Sequence, residues 1–328
     1  MPPGAVQREK GNPGLETAFT RLVGCRIPLQ QAGMAQVATP PLAAAVAGAG
    51  ALGMVVPSKN TAAMLDRLAD QGSGVFGINF LIPFLDMEAV EAAASRVRVV
   101  EFFYGTPDAG LVGRVHQGGA LAAWQVGSAD EGCAAVDAGC DFIIAQGTEA
   151  GGHVRGELPL LMLLDGVLDR IDVPVLGSGG IGTARAMAAV LAAGAAGVRV
   201  GTRFVACAES GAHPAYVDAL LRADASDTVL ATAFSTGWPD APHRVLRSCI
   251  EAAEAFEGDV VGEEHLGRSV FPIPRFAPPP PSRTTTGAIG AMALYAGQSV
   301  GAVQKIQPAA AIVAELVDGA ERMLRSWA

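Results

Sequence analysis

The chain has 328 residues, of which 50% are hydrophobic and 17% charged, with a formal net charge of -9 at pH 7. That balance excludes general disorder, which needs low hydrophobicity and high charge. The acidic sign, with no Lys/Arg cluster, argues against a nucleic-acid partner. The length fits one large domain or two and allows a sizeable core.

Residues 1–17 begin MPPGAVQREKGNPG, lack the apolar stretch of a secretory signal and read as a flexible tail. From Ile27 to Ser58 no charged side chain occurs, yet Gln30, Gln31, Gln36, Pro40, Pro41, Pro57 and four glycines interrupt the run. A membrane helix would not be broken so often, so the segment reads as buried strand, loop, helix and strand. From there, short apolar runs alternate with amphipathic segments. Strands are expected at Pro28–Ala32, Ala51–Val56, Val75–Asn79, Arg98–Tyr104, Ala120–Val126, Asp141–Ala145, Val173–Ser178 and Gly197–Gly201. Most have apolar residues on both parities, as parallel strands covered on both faces do. Helices are expected between them, with Thr39 and Thr183 as N-caps and Gly194 as a stop.

Eight β-α units over residues 18–223 predict an α/β TIM barrel. A doubly wound sheet alternates in the same way, and counting alone leaves it open. After Asp224 the rhythm is lost. Residues 224–305, with a helix at Arg247–Glu257 and the Pro-rich run Phe271–Pro281, read as a smaller, mainly helical second domain or lid, the Pro-rich run as extended surface chain. Residues 306–328 hold Ile312, Val313, Leu316, Val317 and Leu324 at helical spacing, a helix expected to pack back on the barrel. The five cysteines are odd in number and contain no C-x-x-C pair, which predicts a reduced, cytoplasmic chain with neither disulfide framework nor metal site.

In a TIM barrel the chemistry sits where strands end. The seventh strand runs into Gly177-Ser178-Gly179-Gly180 and the eighth into Gly201-Thr202. Glycines let main-chain N–H groups approach an anion, and the following helix N-termini favour negative charge, so the pair predicts a phosphate-bearing ligand. The alternative is that these glycines serve tight turns only. Asn79, Gln125 and Gln146 end other strands. Amides donate and accept, and three together suit the edge of a heteroaromatic ring such as an isoalloxazine, although any one of them serves equally as a loop cap. His153, after Gly151-Gly152, is the candidate for proton chemistry, with a structural loop histidine as its alternative. The other histidines read as structural, and the role of Glu149 stays open between a ligand contact and a loop carboxylate. There is no H-E-x-x-H, and a Rossmann site is the weaker reading of GSGGIG.

The segments PLQQAGMA, FGINF, AQGTEAGGH, PVLGSGGI and VRVGTRF, in this order and spacing, resemble the FMN-dependent nitronate monooxygenase family, formerly 2-nitropropane dioxygenase. GWPDAPHRVLR and LYAGQSVG extend the resemblance, towards its bacterial class I branch, into the second domain. The resemblance implies noncovalent FMN between barrel and second domain. Ala32, Gly33 and Met34 would line the flavin, Asn79, Gln125 and Gln146 would meet its ring or ribityl chain, and Gly151 would lie against it. Ser178, Gly179, Gly180, Gly201 and Thr202 would hold the phosphate, and His153 matches the catalytic histidine. Arg199 departs from the family, which often has an uncharged residue there.

The implied reaction is oxidation of an alkyl nitronate, such as propionate 3-nitronate, by O2 to a carbonyl compound and nitrite. His153 would take a proton from a neutral nitroalkane or, protonated, hold the anionic nitronate. The partners would be that small molecule and O2, with no nucleic acid and no membrane. Sister activities on the same barrel are NAD(P)H-dependent enoyl-acyl-carrier-protein and quinone reductases. Rival readings are a flavin-binding protein without turnover and an unrelated phosphate-sugar barrel.

Overall fold

The computed structural model describes residues 15–72 and 74–327. Most of the expected tail therefore lies outside the described residues. Its last part is ordered: Thr17 caps the helix Ala18–Val23, and its hydroxyl donates to the Ala196 carbonyl at 2.6 Å.

The eight expected barrel strands are present and close on one another. They are β1 (Leu29–Gln31), β2 (Leu52–Val55), β3 (Val75–Leu81), β4 (Val99–Phe103), β5 (Leu121–Val126), β6 (Phe142–Gln146), β8 (Val175–Ser178) and β9 (Gly197–Val200). A two-residue strand, β7 (Gly152–His153), lies in the loop after β6. Every barrel pairing is parallel, and β1 joins β9 through Leu29–Val198, Gln30–Arg199 and Gln31–Val200. This is the TIM barrel, and closure removes the doubly wound alternative.

Both faces of the strands are buried, and two separate cores result. Outside, helices such as Pro40–Gly48 and Ala184–Ala192 cover the strands. Their Thr39 and Thr183 side chains accept from the main-chain N–H groups of Leu42 and Ala186. The C-terminal helix Ala309–Trp327 adds Ile312, Val313, Leu316 and Val317 to this outer layer. Inside, Leu52, Met54, Val99, Phe142, Ile144 and Leu176 pack together with Phe19 and Val23. The short helix Ala18–Val23 is thus a plug for the N-terminal end of the barrel. Among the described residues no helix is long and apolar enough to cross a membrane.

The expectation of a mainly helical second region is corrected. Residues 224–305 contain β10 (Thr228–Ala231), β11 (His243–Leu246), β12 (Val260–Leu266), β13 (Ser269–Pro274) and β14 (Thr285–Gly287) beside a single α-helix, Arg247–Ala255. These strands form two small antiparallel sheets, ordered β10-β11-β7 and β13-β12-β14. The signal of β12 and β13 is weak in sequence because both are largely exposed and carry charged residues or prolines. β12 carries Glu263, Glu264 and His265, and β13 carries Pro272 and Pro274. Proline is tolerated there because β13 is an edge strand. The Pro-rich run is also not simply surface chain: it begins in β13, and Pro280 is buried.

Phe19 is fully buried and packs edge-on against Phe142 at 5.3 Å between ring centroids. Phe19→Ala is expected to cost about 3–5 kcal/mol in chemical denaturation, the usual range for emptying a buried aromatic site.

Candidate active site

At the C-terminal ends of the barrel strands lies a mostly apolar cavity of about 780 Å³. All the site residues expected from the sequence line it. Ala32, Gly33 and Met34 follow β1, Asn79 sits on β3, Gln125 on β5 and Gln146 on β6. Gly151 and His153 come from the β6 excursion, Ser178, Gly179 and Gly180 from the end of β8, and Gly201 and Thr202 from the end of β9.

The floor is a polar layer laid over the apolar barrel interior. Glu101, on β4, is fully buried. Its carboxylate accepts from Gln30 Nε2 at 2.6 Å, from Asn79 Nδ2 at 2.7 Å and from Arg199 Nη1. The Arg199 side chain is therefore neither loose in the cavity nor turned out of the barrel: it is paired across the interior. Asn79 spends its amide N–H on Glu101 and lies so close to Gly33 that a Cβ there would meet Asn79 Cβ at 2.7 Å. Gln146 donates to the His153 carbonyl at 2.9 Å.

The glycine loops have the backbone they require. Gly179 and Gly180 have φ of +114° and +70°, a region that favours glycine. Gly151 departs from expectation. The Cβ it lacks would strike the Gly297 and Ala296 main chain, so close packing with that segment requires the glycine there, although the residue also lines the cavity. Thr202 Oγ1 accepts from the Gly297 N–H at 3.0 Å, tying the same segment to the end of β9. Glu149 lines the cavity, and both its carboxylate oxygens accept from the Leu160 N–H at 3.0 Å, at the start of the helix Leu160–Leu168.

His153 does not sit on a free loop. It occupies β7, which pairs antiparallel with β11 so that His153 stands opposite His243. Its imidazole stacks on Trp238 with centroids 3.9 Å apart, and Tyr104 meets it edge-on at 5.8 Å. Burial, with a smaller contribution from His243, pushes the His153 pKa down to about 3. Burial thus favours the neutral imidazole over the protonated one. His243 is neutral as well, its pKa lowered by burial. Its Nε2 accepts from the Phe234 N–H at 3.1 Å, so Nδ1 carries the proton and donates to the Ala241 carbonyl at 2.9 Å. Of the remaining histidines, His213 accepts from the Ala215 N–H at a helix start.

Sequence reasoning missed Glu101, Gln30, Trp238, Tyr104 and Tyr295. Trp238 belongs to the GWPDAPHRVLR segment, which carried the only available signal for it. Tyr104 holds φ of +66°, unusual for a non-glycine residue, and its ring packs against Trp238 at 4.8 Å.

Three buried polar atoms on cavity-lining side chains have no hydrogen-bond partner among the described residues: Gln125 Oε1, Gln146 Oε1 and His153 Nε2. Such atoms carry a desolvation penalty that a bound polar group removes. A flat heteroaromatic group with donors along its edge and chain meets them, beside glycine loops open to an anion. The residues fit a flavin nucleotide, and the class is that of the flavin-dependent oxidoreductases. The sequence pattern of nitronate monooxygenase matches residues 85–319, and the chain belongs to that family.

Relatives are diverse in name. A (3aS,4S,5R,7aS)-5-hydroxy-7a-methyl-1-oxo-octahydro-1H-indene-4-carboxyl-CoA dehydrogenase of Rhodococcus jostii (strain RHA1) is 33% identical over 254 residues, 76% of this chain and 70% of that protein. A probable nitronate monooxygenase of Staphylococcus aureus (strain JH9) is 27% identical over 292 residues, 74% of this chain and 81% of that protein. Among solved structures, FabK from Thermotoga maritima superposes with a TM-score of 0.79 at 27% identity, covering 95% of this chain and 98% of its own. Nitroalkane oxidase from Streptomyces ansochromogenes gives 0.76 at 28%, covering 95% and 100%.

The lowered His153 pKa has a sign that can be checked. Below its ordinary value of 6.5 the unfolded chain takes up a proton that the folded chain refuses, so stability is lost as pH falls from 6.5 towards about 3. Between pH 7 and 5 this contributes a loss of about 2 kcal/mol. His153→Gln is expected to lessen that loss, read by denaturant titration at the two pH values.

Proposed function

We propose that the protein binds FMN and oxidises an alkyl nitronate, or a nitroalkane after removal of its α proton, with O2 to a carbonyl compound and nitrite. The observation that carries this reading is the convergence on one cavity of His153, whose Nε2 has no hydrogen-bond partner among the described residues, with strand-end amides and glycine loops. A neutral imidazole accepts a proton from carbon, which an imidazolium cannot do. Once the nitronate is formed, the same ring returns a hydrogen bond to it. Trp238 holds the imidazole plane, and the pairing of β7 with β11 holds its backbone.

The polar groups divide the work of binding. Ser178, Gly179, Gly180, Gly201 and Thr202 would hold the phosphate, through main-chain N–H groups and hydroxyls at the ends of β8 and β9. Gln125 and Gln146 would receive donors of the ring or ribityl chain on their unpartnered oxygens. Ala32, Gly33, Met34 and Gly151 would give small or apolar walls, and Asn79 a carbonyl oxygen and the second N–H of its amide, the first being spent on Glu101. Bound FMN would supply the electron transfer between substrate and O2. The apolar outer wall, with Phe103, Trp238 and Ala277, limits water around the substrate.

A second reading is favoured by the size of that wall. Phe84, Pro278 and Pro279 extend the lining beyond what a small nitronate covers. An NAD(P)H-dependent reductase acting on a larger compound, such as an enoyl thioester or a quinone, would use the same cofactor and the same histidine. Anaerobic mixing of the FMN-loaded protein separates the two. Bleaching of the flavin absorbance by propionate 3-nitronate, with slow or no bleaching by NADH or NADPH, is the expected result. Rapid bleaching by a nicotinamide cofactor alone would establish the reductase instead. His153→Ala is expected to lower kcat/KM by about 10²-fold or more, with the FMN content of the purified protein unchanged.

A further inference from the structure

We propose that Arg199 presents a directed cation to the cofactor ring from the cavity floor, favouring the ring when it carries extra negative charge, and that Glu101 is the positioning residue that aims it. The inference rests on the flavin reading above.

Glu101 and Arg199 lie on strands that are not neighbours, β4 and β9, so their ion pair spans the barrel. Both are buried, Arg199 at 6% exposure and Glu101 at 0%. The carboxylate is held on both oxygens. Gln30 takes Oε2, while Asn79 and Arg199 share Oε1. Held in this way it cannot turn, and it fixes one corner of the guanidinium.

A guanidinium is a planar fork of several N–H donors. Among the described residues the Arg199 side chain makes one hydrogen bond, from Nη1 to Glu101. Arg199 lines the cavity. The donors not spent on Glu101 therefore keep access to whatever the cavity holds. A charge-assisted donor in a low-dielectric site is stronger than a neutral one. The pair adds no net charge to the floor, so what it offers is direction: an N–H donor on the cavity side, with the balancing negative charge behind it.

Reduced FMN carries negative charge on its ring that oxidised FMN lacks. Arg199→Gln is therefore expected to weaken binding of reduced FMN relative to oxidised FMN by about tenfold or more, read as a midpoint potential lower by about 30 mV or more for the two-electron couple. Glu101→Gln leaves the cation unopposed and is expected to raise the potential. The double variant Arg199→Gln/Glu101→Gln buries no unpaired charge and keeps the side chains polar, which protects the test against misfolding of either single variant. If the directed donor matters, the double variant also lies below wild type. A double variant at the wild-type potential shows that net charge alone acts and overturns the proposal, as does an unchanged potential in Arg199→Gln. Failure of the flavin reading looks different: wild-type protein would take up no FMN at all, and the inference would fall with it.

Discussion

A closed parallel barrel must end its apolar interior somewhere, and here it ends on Glu101. The carboxylate has no solvent exposure and is compensated by Gln30, Asn79 and Arg199, which come from three different strands. Removing one partner of such a pair is expensive, because the other charge stays buried without compensation. The layer therefore stands or falls as a unit. Below it are Leu52, Met54, Ile144 and Leu176; above it is the cavity. The position of the floor, the direction of the Asn79 amide and the placement of Arg199 at the cavity all follow from this one buried network.

The second constraint is the stitching of the β6 excursion to the region after the barrel. β7 is only two residues long, yet its pairing with β11 carries His153 to the edge of the cavity and sets His243 opposite it. Val154 continues the tie through its N–H to the Pro242 carbonyl at 2.8 Å. Trp238 then covers the imidazole, flanked by Tyr104 and Phe84. The same burial that positions the ring also keeps it neutral, so the structure links its geometry to its proton affinity. The outer wall of the cavity is formed by Phe84, Trp238 and the prolines 278–280.

The barrel was legible because its strands are covered on both faces and so read as continuous apolar runs, while caps such as Thr39 and Thr183 mark the helix starts. The region after Asp224 was not legible. β12 alternates buried with charged positions, and β13 carries two prolines that are tolerated only at an edge, a placement no local pattern reveals. Within the site, glycines and strand-end amides announce themselves through their position in β-α units. Glu101 does not, since a single acidic residue in VVEFF gives no hint of which strand will supply its cation.

The sequence by itself determined the fold class, the ring of strand ends and the residues gathered there, because these depend on local periodicity and on conformations only glycine adopts easily. Tertiary structure alone decided the burial of His153, the partner of Arg199 and the hydrogen bond from the Leu160 N–H to Glu149. Each of these is set by burial and by groups distant along the chain: Trp238 and His243 for the first, Glu101 for the second, Leu160 for the third. Desolvation and long-range pairing are properties of the closed barrel and its covering sheet, and they come into being only when the chain has folded.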